Sequence, residues 1–128
     1  MRLINVLTGK LEEFFDQNIP QYHILSHTWG DDEISFQEFT WIRTYEEELD
    51  DGVLDELMPK QRERLDNKYE SLRATSGYRK IAQFMDLVRE RCLPWLGDKN
   101  VHYIWVDTCC INKESSAELS EAINSMYR

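Results

Sequence analysis

The sequence predicts an α/β domain of three layers: a parallel sheet flanked by helices, with a β-hairpin at its N-terminus. Three observations carry that expectation. The apolar run 103–106 ends in Asp107, and a polar turn and an amphipathic helix follow. A strand with an acidic end, then a loop and a helix start, is how open α/β sheets build ligand sites. A second strand-like run at 22–26 is separated from the first by a helical pattern, and strands alternating with helices imply parallel pairing through crossovers. The opening residues carry a turn signal between two strand-like arms. Only two core parallel strands are visible where a doubly wound sheet has about five, so the chain reads as the N-terminal part of such a fold.

Each element has its own signal. Residues 2–6 alternate apolar and polar, Thr8-Gly9-Lys10 is a turn, and 11–15 returns as the second arm. The run 22–26 predicts a strand with Ile24 and Leu25 buried, and Gly30-Asp31 breaks the loop behind it. Ser35 followed by Glu38 is a capping-box signature for a helix start. Residues 44–75 change character, acidic first and then charged of both signs, with a thin apolar face at Leu65, Tyr69 and Leu72. They read as a variable charged insertion on the surface, partly helical. Tyr78, Ile81, Phe84, Met85, Val88 and Cys92 recur at helical spacing, predicting a helix over 78–91 that Pro94 and Gly97 end. Residues 102–106 are nearly all apolar and predict a central strand buried on both faces. Ser115 and Glu118 form a second capping-box signature, and Leu119, Ala122, Ile123 and Met126 make the apolar stripe of the last helix.

Composition excludes several classes. A net charge of −9 opposes duplex nucleic-acid binding, which needs a basic face. No run approaches the roughly 20 apolar residues of a membrane span. Acidic residues inside the N-terminal apolar stretch rule out a signal peptide, so the expected location is cytoplasmic. The three cysteines lack C-x-x-C spacing, which predicts reduced thiols and no structural zinc. Asp31, Asp32 and Glu33 are consecutive and do not wrap one ion easily, so no metal is expected.

Two stretches carry a resemblance. Residues 22–30, Tyr-His-Ile-Leu-Ser-His-Thr-Trp-Gly, resemble the first signature of the fungal heterokaryon incompatibility (HET) domain. Residues 77–81, 103–113 and 118–128 resemble its second. Asn112 stands where members commonly carry aspartate, and His23 where they carry a small residue. HET domains are similar in turn to Toll/interleukin-receptor (TIR) domains, which have a flavodoxin-like fold. The resemblance implies a part in fungal non-self recognition and programmed cell death. It further implies NAD as a substrate or signalling by self-association, with other HET or NLR-type proteins as partners. The TIR likeness puts the catalytic glutamate in a segment after position 128, so no catalytic residue is assigned here, and the chain by itself is expected to be inactive on NAD. A non-enzymatic interaction module is the competing class.

Candidate ligand residues follow from the two strand ends. Ser26, His27, Trp29 and Gly30 sit in the first strand-to-helix loop, and Asp107 and Cys109 in the second. Each has an alternative. Ser26 also suits packing, His27 a structural hydrogen bond, and Trp29 a core position. Asp107 contacts a ligand or holds the backbone of the 108–116 loop. Cys109 as a nucleophile requires activation by a base or helix start. The amides of Ser115 to Ala117, at the last helix's start, suit a pyrophosphate. Glu118 and Glu121 suit capping and a solvated face.

Overall fold

The computed structural model describes residues 1–25 and 30–126. In chain order, β1 (Arg2–Asn5), β2 (Leu11–Glu13) and β3 (His23–Ile24) precede three helices, α1 (Phe36–Asp50), α2 (Pro59–Arg73) and α3 (Ser76–Glu90); β4 (Tyr103–Trp105) and α4 (Ser116–Met126) follow. The strands form one sheet in the order β2-β1-β4-β3. β3 and β4 are parallel, as the sequence predicts. The sheet as a whole is mixed, however, because the hairpin joins it with β1 antiparallel to β4. The expected parallel sheet is therefore confined to one strand pair.

Asn5 organises the hairpin turn. Its side chain accepts the Leu7 N–H at 2.9 Å and donates to Glu12 at 2.7 Å, while Gly9 takes the left-handed conformation at φ 76°. Pairing of Ile4 with Ile104 and of Leu11 with Ile4 puts these side chains on one face. Phe39 and Ile42 of α1 and Ile81, Met85 and Val88 of α3 pack onto that face and form the core with Val6, Ile34 and Val106. Leu3, Asn5, Tyr103, Trp105 and Ile24 turn to the other face.

Cover on this second face is uneven, complete over Leu3 but partial elsewhere, and it corrects two expectations. In β4, Ile104 is fully buried, but Tyr103 and Trp105 are only half-buried. Ile24 is 59% exposed, because β3 is an edge strand and Ile24 faces away from α1 and α3. Leu25 does pack against the core.

The helix starts follow the sequence signals. Ser35 and Glu38 complete their capping box, at 3.1 and 3.2 Å. α3 begins two residues before its periodicity suggests, because Thr75 accepts the Tyr78 N–H and Asp32 accepts the Ser76 N–H at 2.8 Å. Gly77 permits that junction: a Cβ there would lie 2.7 Å from the Asp32 carbonyl oxygen and from Glu33 Cα.

Residues 44–75 are mostly helical. α1 runs through to Asp50, Tyr45 and Leu54 are buried, and α2 folds back along α1 with no fully buried residue of its own. The two helices are joined by an aromatic ladder, Trp41 on Tyr45 and Tyr45 on Tyr69, with ring centroids 5.3 and 4.7 Å apart. Hydrogen bonds from Tyr45 to Asp66 and from Tyr69 to Glu46 close its ends. The ladder compensates for a thin apolar stripe.

Candidate functional site

A cavity of about 550 Å³ opens at the carboxyl ends of β3 and β4, the place where open α/β sheets take ligands. Ile24 and Trp105 supply its sheet wall. Arg2 and Glu13 reach it from the hairpin, which ends there because β1 runs antiparallel to β4. Ser115, Glu118 and Glu121 supply the helix wall from the first half of α4.

Glu118 ties these walls together. Its carboxylate accepts hydrogen bonds from the Arg2 guanidinium and from the Asn112 N–H, the latter at 3.1 Å. The Glu118 N–H in turn donates to Ser115 Oγ at 3.3 Å. Half of the expected capping box is thus formed. The reciprocal bond is not, because the Ser115 N–H donates to the Asn112 carbonyl at 3.0 Å and Glu118 turns to Arg2 instead. Asn112 Oδ1 accepts from Gln37 at 2.8 Å and from the Glu114 N–H at 3.2 Å. An uncharged amide here therefore links the loop to α1. Glu121 stands 3.6 Å from the N-terminal ammonium of Met1.

The loop from 106 to 110 is a tight turn. The Cys110 N–H donates to the Val106 carbonyl at 2.8 Å, and the Val106 N–H meets Cys110 Sγ at 3.3 Å. This turn drives Cys109 into the core, where it is fully buried; burial, first, and its contact with Cys110 hold the thiol well above its usual pKa. A neutral buried thiol is neither a nucleophile nor a cavity residue. Asp107 is half-buried and does not line the cavity. Among the described residues, the loop's backbone bonds go to Val106, Asn112 and Glu118 rather than to the Asp107 carboxylate.

Gly30 is exposed and donates its N–H to Glu33 Oε1 at 3.0 Å, close to the start of α3 and away from the cavity lining. Ser26, His27 and Trp29 lie outside the described residues. Met126 closes α4. Of the sequence candidates, then, the structure brings together Ser115, Glu118 and Glu121. It adds Arg2, Glu13, Tyr22 and Trp105, which local pattern reading misses. Arg2 gives no local signal because its partner is 116 positions away. Trp105 was legible only as strand, although its alternation against Ile104 marks it as facing the other way.

The fold and this strand-end cavity sit in a chain whose residues 22–128 match the family model described as Heterokaryon incompatibility protein (HET). The chain belongs to the heterokaryon incompatibility family. It is similar to the Vegetative incompatibility protein HET-E-1 of Podospora anserina, at 38% identity over 112 residues, which are 86% of this chain and 6% of that protein. The chain thus spans a small fraction of that relative's length. No solved structure matches. Among the described residues, no helix is long and apolar enough to cross a membrane.

Proposed function

We propose that this HET domain acts in heterokaryon incompatibility, that the cavity at the ends of β3 and β4 is its ligand site, and that the ligand is NAD. The reaction is hydrolysis: water replaces nicotinamide at the ribose carbon, giving nicotinamide and ADP-ribose, in a pathway to cell death. The observation that carries this reading is the cavity itself. Its volume of about 550 Å³ suits a small-molecule site, and carboxylates from two separate elements, Glu13 and Glu121, face it. Carboxylates beside the ribose stabilise the positive charge that develops as a glycosidic bond breaks. The parallel β3–β4 pair with intervening helices supports a flavodoxin-like, TIR-like arrangement, with residues 44–75 as a charged insertion upon it. The proposed site of action is the cytoplasm. The test is calorimetric titration with NAD together with chromatographic detection of nicotinamide. NAD binding by this chain with nicotinamide release by the full-length protein supports the reading, and absence of NAD binding sinks it.

A second reading has its own observation. β3 is a sheet edge, and Ile24 on it is 59% exposed. An uncovered edge with an apolar side chain favours pairing with a second copy. Light scattering checks this: a dimer that Ile24→Lys returns to monomer supports self-association, and a monomeric wild type removes it.

A further inference from the structure

The charges around the cavity are uneven. Glu13, Glu118 and Glu121 line it, against the Arg2 guanidinium and Met1. Both cations are engaged. Arg2 donates to Glu118 and lies 4.6 Å above the Phe36 ring. The Met1 ammonium donates to the Phe14 carbonyl at 2.9 Å and stands beside Glu121. Glu13 has no ion pair among the described residues.

Part of the amide array that an anion would seek is engaged as well, the Ser115 N–H by the Asn112 carbonyl. Asn112 N–H is held by Glu118 and Glu118 N–H by Ser115, so the start of α4 already has its own carboxylate. The expectation that Ser115 to Ala117 would receive a pyrophosphate meets a negative charge there. Opposite these carboxylates, the wall is aromatic and apolar, with Tyr22, Trp105, Ile24 and Ile111. A ring face with surplus carboxylate around it attracts a flat cation and repels phosphate.

The geometry points to a subsite for a cationic aromatic ring, with Trp105 and Tyr22 as its faces and Glu13 and Glu121 as its counter-charges. This rests on the reading of the cavity as the NAD site, and it adds which end of the dinucleotide enters. The N-linked pyridinium goes in, and the pyrophosphate stays at the mouth.

The experiment compares 1-methylnicotinamide, a permanent pyridinium cation, with nicotinamide, its neutral near-isostere, by NMR of the tryptophan indole N–H signals of the purified chain. The cation is expected to bind about tenfold more tightly. The preference is expected to vanish in Glu13→Gln/Glu121→Gln, whose melting is monitored by circular dichroism to establish that it folds. If that variant does not fold, Trp105→Leu replaces it, and loss of cation binding with folding retained supports the subsite. Equal affinity of the two rings, a preference that survives either substitution, or tighter binding of inorganic pyrophosphate overturns the subsite. Nicotinamide release from NAD without ring preference removes the subsite and leaves the hydrolase reading. Ring preference without NAD cleavage by the full-length protein does the reverse.

Discussion

Arg2, in the first strand, donates a hydrogen bond to Glu118, in the last helix, across 116 positions of sequence. Both side chains are about three-quarters buried, at 23% and 24% exposure. α4 has no fully buried residue among those described; its attachment therefore leans on this pair and on the Asn112–Glu118 bond. Arg2→Met is expected to cost about 1–2 kcal/mol, since a charge-assisted bond and a ring contact go together. A double-mutant cycle with Glu118→Gln is expected to give a coupling near 1 kcal/mol. Amide exchange should rise in α4 before it rises in α3. Additive single mutants would show that α4 is held elsewhere.

Gly77→Ala tests the junction between the loop after β3 and α3. The new methyl meets main-chain atoms of Asp32 and Glu33 at 2.7 Å, and backbone yields less readily than a side-chain tip. A loss of about 2 kcal/mol in urea denaturation is expected. The Asp32–Ser76 bonds should loosen with it. A neutral substitution would mean that residues 32–34 relax freely.

The aromatic ladder gives an alkaline signature. Burial, first, and the bond to Glu46 push the Tyr69 phenol up to about 12 from 10. The folded state therefore holds the proton more tightly than the unfolded chain. This contribution to stability is complete below pH 10 and is lost as pH rises through about 12. Phenolate absorbance should show a late-titrating tyrosine that is missing in Tyr69→Phe, with a shallower fall in melting temperature above pH 10. An unchanged titration in the variant would assign that phenol to another tyrosine.

Thiol chemistry separates the cysteines. Cys92 is half-buried, whereas Cys109 and Cys110 are buried. An aromatic disulfide reagent should label Cys92 in the native chain and Cys109 only on global unfolding. Cys109→Ser places a hydroxyl in the core and is expected to cost about 1–3 kcal/mol, more than Cys109→Ala if that position is purely apolar. Rapid native labelling of Cys109 would contradict its placement.

Much of this architecture is legible in the sequence where a signal is local. The capping box at Ser35, the hairpin turn at Gly9 and the stripe from Tyr78 to Val88 all act within a few residues, and the structure forms each of them. The parallel β3–β4 pair follows from strands separated by helices. Placement of β1 beside β4 does not, because antiparallel pairing over about a hundred residues leaves no mark in either strand. The same reason hides half the cavity. Ser115, Glu118 and Glu121 announce a helix start, but Arg2 and Glu13 reach the same space only through sheet topology. Ile24 misled because an apolar strand residue reads the same at a sheet edge as at its centre. Asp107 and Cys109 drew attention as a strand end, yet the turn from Val106 to Cys110 sends the thiol inward and leaves the carboxylate off the cavity wall.

The pairing of Ile4 with Ile104 also bears on how the chain folds as it is made. The hairpin emerges from the ribosome before β4, carrying Leu3 and Ile4, both fully buried in the finished sheet. Its neighbour β4 follows about a hundred residues later, some 5–20 s at typical elongation rates. Throughout that interval the hairpin presents an unpaired edge to its surroundings. Nascent-chain release arrested before residue 103 should therefore yield an aggregation-prone, chaperone-bound species, and arrest beyond the tunnel-spanning length after β4 should not.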